Sequence, residues 1–179
     1  MPQRELRRRV ATVLQDVFLF SGSVFDNISL GRSELEPADI ERAARAVEAH
    51  TFIEALPQGY GTRVLERGNN LSVGQRQLLS FARAVAHGAE ILILDEATSS
   101  IDSETERMIQ RGIHALMQGK TAIAIAHRLS TIRDVDRIHV LHRGELVESG
   151  HHEELIALGG AYNRLYSLQA EGGLATGEA

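Results

Sequence analysis

The chain has 179 residues, of which 43% are hydrophobic and 24% charged, a balance typical of a globular protein and not of a disordered one. Its formal net charge of −5 argues against an electrostatic nucleic-acid binder, and the absence of cysteine excludes thiolate metal sites, disulfides and cysteine nucleophiles. No stretch reaches the ~18 consecutive apolar residues that cross a membrane, and the N-terminus is too charged for a signal peptide. We therefore expect the chain in the cytoplasm or on the cytoplasmic side of a larger structure.

Apolar spacing predicts a strand and then a helix in the first part of the chain. Residues 10–14 form a short apolar run typical of a buried strand, which ends at Gln15. Residues 37–48 are predicted to be helical, because Pro37 suits a first turn and apolar residues recur at helical spacing. That apolar stripe consists of Ile40, Ala43, Ala44 and Val47.

The middle of the chain is predicted to contain two more helices and a strand. A glycine-containing loop over residues 57–70 precedes a helix over residues 75–86. Residues 91–94 are an uninterrupted apolar run, as in a parallel strand covered on both faces. Asp102 can cap a long helix that reaches Gln118, with an apolar stripe that includes Ile109, Ile113 and Leu116.

Residues 121–126 are predicted to be a second buried strand. Arg143-Gly144 is typical of a hairpin turn between two shorter strands. The remaining predicted elements are strands at 137–142 and 145–149, helices near 153–158 and 161–169, and a frayed tail at 171–179.

Strands that alternate with helices indicate an α/β fold. The spacing is uneven, because no convincing strand occurs between Gln15 and Glu90. We interpret that region as a helical insertion in an α/β core.

Two carboxylates, Asp95 and Glu96, follow the apolar run at residues 91–94. The carboxyl end of a buried parallel strand is where α/β folds place their ligand chemistry. In nucleotide hydrolases the first acid at such a strand end holds Mg²⁺, and the second can orient or deprotonate the attacking water. Any strand that leaves the core also meets polar residues, so this pair alone leaves both interpretations open.

Ser72 and Gln75 have the spacing of a capping box at the start of the predicted helix. The same geometry also suits an anion. Free backbone N–H groups, the positive end of the helix dipole, a serine hydroxyl and the close approach that Gly74 permits would together accommodate a γ-phosphate. His127 and Gln15 each end a predicted strand, so they are either ordinary polar residues or phosphate-facing ones.

Taken in order, these segments resemble the motifs of the nucleotide-binding domain of ATP-binding-cassette (ABC) transporters. Residues 15–22 resemble the Q-loop, residues 71–75 the signature motif, and residues 91–96 Walker B with its catalytic glutamate. The other resembling segments are the X-loop of the exporter branch at 64–68, the D-loop at 97–102 and the switch histidine at His127.

The resemblance implies an α/β fold with an incomplete P-loop NTPase (RecA-like) core and a helical signature subdomain inserted between Q-loop and Walker B. It implies a partial nucleotide-binding domain over residues 1–170 and a flexible tail over 171–179. Within that domain we expect core at 1–24 and 88–150, the helical subdomain at 25–87, and C-terminal helices at 151–170.

The family's Walker A loop, GxxxxGK[ST], has no counterpart in the sequence. The sole lysine lies in Gly119-Lys120-Thr121, but His114 stands where the motif requires its first glycine. That segment also follows a helix and precedes a strand, the reverse of a P-loop. The family's aromatic adenine platform is missing too. We therefore expect an ABC nucleotide-binding domain that lacks its N-terminal portion.

The resemblance implies ATP and Mg²⁺ as ligands, with the nucleotide held between two domains that pair head to tail. Ser72, Gly74 and Gln75 would contact the γ-phosphate held by the second nucleotide-binding domain, and Asp102 would couple the two sites.

The hydrolytic roles are implied in the same way. Glu96 would be the general base, Asp95 would serve Mg²⁺, and His127 would position the γ-phosphate and the water. Gln15 would sense Mg²⁺ and transmit its state to the transmembrane helices.

The resemblance further implies the motor of an exporter that couples ATP hydrolysis to transport at the cytoplasmic face of the cell membrane. A transmembrane domain would contact the Q-loop and the X-loop residues Glu66 and Arg67. We expect no nucleic-acid partner and a soluble isolated chain with little activity of its own.

Two other functions stay open at this point. The chain could be a non-catalytic half that supplies the signature helix to a partner's ATP. It could also belong to a chromosome-maintenance or DNA-repair ATPase, although no coiled-coil heptads occur. The cluster at residues 150–154 has histidines and acids, but it precedes an amphipathic helix, so we expect a helix start and not a metal site.

Overall fold

A computed structural model describes residues 2–14, 16–96, 103–126 and 132–175. The chain divides into two compact units, Met1–Ile125 and Ala126–Ala179. The helices of the first unit are α1 (Gln3–Arg9), α2 (Val24–Ser29), α3 (Pro37–Ala46), α4 (His50–Glu54), α5 (Val73–Ala86) and α6 (Ser103–Met117). Its strands are β1 (Val10–Val13), β2 (Gly22–Ser23), β3 (Arg63–Val64), β4 (Ile91–Glu96) and β5 (Thr121–Ala126).

A three-stranded sheet with the order β1-β4-β5 forms the α/β part of this unit. β1 and β4 are parallel, and their register runs from Val10 opposite Ile91 to Val13 opposite Leu94. The backbone N–H of Thr121 donates to the carbonyl of Glu90, so β5 begins at the same edge as β4 and runs with it. All three strands were predicted from their apolar runs and are confirmed.

The burial predicted for β5 is wrong. Leu92 and Leu94 of β4 are buried, but Ile123 and Ile125 of β5 are 58% and 54% exposed. Among the described residues β5 is an edge strand, and the face that carries Ile123 and Ile125 is open to solvent there. An apolar sequence run reports hydrophobicity and not what covers it.

The prediction that no strand occurs between Gln15 and Glu90 is also wrong. β2 and β3 pair antiparallel, with Gly22 opposite Val64 and Ser23 opposite Arg63. A two-residue strand has no alternation that a sequence pattern could show. This pairing connects the segment before α2, where the helical insertion begins, to the loop that precedes α5.

Helices α2, α3 and α6 pack around α5, and their apolar faces form the main core. Ile40, Ala43 and Ala44 of α3 are buried as predicted, and so are Ile109, Ile113 and Leu116 of α6. α3 ends at Ala46, two residues before the predicted end.

The second unit contains a β-hairpin, β6 (Ile138–His142) and β7 (Glu145–Gly150), followed by helices α7 (His152–Leu158) and α8 (Ala161–Ala175). The hairpin and both helix starts were predicted. α8 continues to Ala175, beyond Gly172 and Gly173, and the tail over residues 171–179 stays a prediction. The core of this second unit is formed by Ile138, Val140, Leu155 and Tyr162.

The described helices include none that is both long enough and apolar enough to span a bilayer.

The pH dependence of stability follows in part from His87. Burial and then the charge of Arg32 lower the pKa of His87, and its Nε2 lies 3.2 Å from the carbonyl oxygen of Ser29. The unfolded chain therefore takes up a proton near pH ~6.5 that the folded chain takes up only at lower pH. We expect the free energy of unfolding to fall as pH drops below about 6.5, and His87→Gln to reduce this fall. Urea melts at several pH values measure it; equal pH dependence in both proteins would contradict it.

Candidate functional site

The carboxyl edge of the parallel sheet places the predicted acids together with the end of β1. Because Val13 lies opposite Leu94, the chain leaves β1 and β4 at the same edge. Asp95 is half-buried there, and Glu96 is the last residue of β4. A carboxylate in this position is suited to a hard cation such as Mg²⁺.

Three predicted site residues, Gln15, Asp102 and His127, lie outside the described residues. Gln15 comes two positions after the end of β1, Asp102 directly before α6, and His127 directly after β5. Their roles stay predictions.

Lys120 lies at the opposite edge of the sheet from Asp95. Its Nζ donates to the carbonyl oxygen of Ala89 at 2.9 Å, next to the residue that precedes β4. Gly119, with a φ of +69°, forms the turn between α6 and β5. This arrangement agrees with the rejection of Gly119-Lys120-Thr121 as a P-loop, because the lysine is at the amino ends of the strands.

The start of α5 is the predicted capping box. The Ser72 hydroxyl accepts from the backbone N–H of Gln75 at 3.2 Å, and the Gln75 side-chain oxygen accepts from the N–H of Ser72 at 2.9 Å. Ser72 remains exposed, so its O–H can still donate to a ligand. The N–H groups of Val73 and Gly74 are the first two of the helix and have no intrahelical acceptor. The helix end is therefore capped and yet able to bind an anion.

Gly74 has a packing role that the sequence did not reveal. It is buried against α6, and a Cβ at this position would collide with the methyl group of Thr105. The glycine is needed for the close approach of α5 to α6, independently of any ligand.

The loop before α5 is held by side chains that sequence reasoning missed. Asn70 accepts from the backbone N–H of Leu65 and donates to the carbonyl of Arg63, each at 2.9 Å. Arg76 donates from the first turn of α5 to the carbonyl of Leu71 at 2.7 Å. Asparagine and arginine bonded to nearby backbone leave no periodic signal in a sequence, so only the fold reveals them.

The X-loop residues Glu66 and Arg67 are exposed, and Arg67 has a left-handed backbone with a φ of 56°. They form a 3-10 turn, Glu66–Gly68, that projects between β3 and α5. Both charged side chains are therefore open to solvent in this structure.

The residues at 150–154 form a helix start, as predicted. His151 caps α7 through a capping box with Glu154, and the Nδ1 of His152 lies 2.8 Å from the hydroxyl of buried Tyr162. These contacts give both histidines structural partners.

The family model described as ABC transporter matches residues 1–99 of the chain, more than half of its length. The chain belongs to the ABC transporter family. Relatives agree: it is 52% identical over 164 residues to the "Uncharacterized ABC transporter ATP-binding protein YknV" of Bacillus subtilis (strain 168). It is 50% identical over 169 residues to an "ATP-dependent lipid A-core flippase" of Chromobacterium violaceum.

The matches cover 92% and 94% of this chain but only 27% and 29% of those two relatives. The chain therefore spans less than a third of the length of each of these two relatives. A solved structure, "Structure of a bacterial Atm1-family ABC exporter with ATP bound", superposes with a TM-score of 0.85 at 40% identity, over 95% of this chain and 30% of that one.

The chain therefore has the fold of part of an exporter-type ABC nucleotide-binding domain, and its α/β core is an incomplete P-loop NTPase core. The expected fold class is confirmed. The subdomain boundaries at residues 24, 87 and 150 stay predictions.

The contact between Gly74 and Thr105 predicts an effect on stability without any nucleotide. We expect Gly74→Ala to lower the free energy of unfolding by about 1–3 kcal/mol, the usual cost of an overpacked helix contact. Thr105→Ser removes the methyl group that collides, so Gly74→Ala/Thr105→Ser should recover much of the loss.

Chemical denaturation of the four proteins in this cycle measures the effect. If Gly74→Ala is as stable as the parent, or if Thr105→Ser rescues nothing, the glycine is not a packing residue.

Proposed function

We propose that the chain is the ATP-hydrolysing motor part of an ABC exporter at the cytoplasmic face of a membrane. The exporter-type fold supports this proposal, as do the two relatives, one named an ABC transporter ATP-binding protein and the other an ATP-dependent flippase. The observation that carries it is the start of α5, where an exposed serine caps the helix and the N–H groups of Val73 and Gly74 have no intrahelical acceptor.

The start of α5 would bind the γ-phosphate of ATP held by a second nucleotide-binding domain. Ser72 would donate its hydroxyl, the N–H of Gly74 would donate from the backbone, and the amide nitrogen of Gln75 would donate while its oxygen caps the helix. The positive end of the helix dipole adds to the attraction.

The carboxyl edge of the sheet would supply the hydrolytic groups. Asp95 would hold Mg²⁺, which would offset the charge of the phosphates when bound. Glu96 would accept the proton of the attacking water, and His127 would orient that water against the γ-phosphate. Gln15 would respond to the metal, and Asp102 would link the two sites of the dimer.

We infer two partner surfaces for the motor. The second nucleotide-binding domain would meet the start of α5. A transmembrane domain would meet the exposed X-loop, Glu66 and Arg67, and the segment that follows Gln15. Nucleic acid is not among the partners, in line with the net charge of −5. Residues 25–87 would form the helical subdomain, and residues 1–24 and 88–150 would form the core.

A second function is a half-site that supplies the start of α5 to a partner's ATP without hydrolysing any itself. The placement of Lys120 favours it, because the sole lysine of the chain is bonded to Ala89 at the edge opposite the candidate site. In that case Asp95 and Glu96 would be structural.

Glu96→Gln distinguishes these two functions. In the assembled transporter we expect this change to leave ATP binding intact and to slow hydrolysis by at least ~10²-fold, because the amide cannot accept the proton. Release of phosphate and retention of radiolabelled ATP are the measurements. Hydrolysis at the parent rate would favour the half-site and remove Glu96 from the mechanism.

Ser72→Asp tests the phosphate contact separately from the cap. Aspartate caps a helix at least as well as serine, so the melting temperature without nucleotide should hardly change. A carboxylate ~4 Å from a phosphate costs on the order of 4 kcal/mol per unit charge at an effective dielectric of about 20. We therefore expect ATP-driven dimerisation to be lost.

The measurement is size-exclusion chromatography with ATP on a Glu96→Gln background, beside a thermal melt. Ser72→Asn is the uncharged control; it also caps well and should weaken dimerisation less than aspartate does. A lower melting temperature with intact dimerisation would assign Ser72 to the cap alone.

A further inference from the structure

Arg83, in the last turn of α5, is bonded to a segment more than fifty residues earlier in the chain. Its Nε donates to the carbonyl oxygen of Asn27 at 2.9 Å, and its guanidinium also reaches the carbonyl of Phe18 at 3.2 Å and the side-chain oxygen of Asn27 at 3.5 Å. One side chain of α5 therefore contacts both α2 and the segment that follows Gln15.

Asn27 completes the connection from α2. It is 1% exposed, its side-chain oxygen accepts from the N–H of Phe20 at 2.9 Å, and its amide nitrogen donates to the carbonyls of Phe20 and Ser23 at 2.9 and 3.0 Å. Phe20 is thus held through both its backbone polar groups. Arg83 is in turn bonded to Asn27, the residue that holds it.

The contacts of Arg83 are charge-assisted and partly desolvated. Burial lowers the pKa of Arg83, which remains an arginine that is charged at any ordinary pH. The guanidinium donates to carbonyl and side-chain amide oxygens. Hydrogen bonds from a cation to such acceptors are stronger than those between neutral groups. The planar guanidinium reaches three acceptors at once, which a lysine ammonium cannot match in geometry.

The segment held in this way presents two aromatic rings to solvent. Phe18 and Phe20 are 55% and 53% exposed, and their rings pack edge to face with centroids 5.0 Å apart. Exposed aromatic pairs that the backbone holds in place are suited to contact another protein surface.

Helix α5 joins this segment to the candidate phosphate site. Ser72 caps one end of the helix and Arg83 lies near the other, about 16 Å away at 1.5 Å per residue. α5 is one continuous helix packed between α2, α3 and α6, and close-packed interiors transmit strain. Arg83 is therefore the contact through which a displacement of α5 would reach the segment that follows Gln15.

We propose that Arg83 is a positioning residue that fixes the Phe18–Phe20 segment to α5, so that the exposed aromatic pair moves together with the phosphate-binding start of that helix. The role of this coupled motion in ATP hydrolysis rests on the proposed function. The attachment itself is a property of the chain and is testable without nucleotide.

The first test is amide hydrogen exchange of single residues by NMR in the 179-residue chain. Arg83→Met should speed exchange at Phe20 by about tenfold, the change expected when a hydrogen bond from a charged donor stops supporting the closed state. The amide of His151 is the internal reference, because it is bonded to the Glu154 carboxylate in the second unit and not to the network of Arg83. Its rate should stay constant.

Arg76→Met is the matched control. Arg76 lies on the same helix and also donates to backbone carbonyls, but these belong to Gly68 and Leu71. It should leave the Phe20 rate unchanged. If Arg83→Met fails to fold, Arg83→Lys is measured instead and should give a smaller rise in the ratio of the Phe20 rate to the His151 rate. An unchanged ratio in the Arg83 variants, or an equal rise in Arg76→Met, overturns the proposal.

The second test is steady-state ATP hydrolysis by the assembled transporter. Arg83→Met should lower kcat several-fold and leave KM for ATP unchanged, because Arg83 is remote from the phosphate site, and Arg83→Lys should recover part of kcat. A raised KM with normal kcat would place Arg83 in nucleotide binding and overturn the proposal. If the parent hydrolyses no ATP, the proposed function fails, while the exchange ratio still decides whether Arg83 holds the segment.

Discussion

The close packing of α5 on its neighbours is the constraint on which the first unit depends. Gly74 lets the start of α5 approach α6 until no space remains for a Cβ beside Thr105. Leu78, Leu79 and Phe81 then bury their side chains in the core that α5 shares with its neighbours. Interiors at this density transmit displacement and do not absorb it. The position of one helix therefore sets the position of the candidate site.

The candidate site shows how one geometry serves both stability and chemistry. Ser72 and Gln75 satisfy each other's backbone N–H groups, which any helix start requires, and still leave a hydroxyl and an amide nitrogen facing outward. Gly74 is needed for packing whether or not a phosphate approaches it. A loss of activity after mutation of Gly74 consequently says little about ligand contact unless stability is measured beside it.

Sequence patterns predicted the elements whose physics is local. Short, mostly apolar runs predicted β1, β4 and β5, and the Ser72–Gln75 spacing predicted the start of α5. What escaped prediction depends on distant partners. β2 and β3 are too short for any periodicity, and the exposure of Ile123 depends on which layer covers β5. Asn27 and Arg83 find each other only after the chain has folded.

Lys120 is a suitable site for chemical labelling because of its position in the sheet. It is the only lysine of the chain, so an amine-reactive dye or biotin ester has a single target once any free N-terminal amine is blocked. Its ammonium lies at the amino edge of the sheet, beside Ala89. The six residues of β5 separate this edge from the carboxyl edge that carries Asp95, a distance of about 20 Å. A label or a surface tether attached there would report on the molecule, or immobilise it in one orientation, and leave the acidic edge open to solvent.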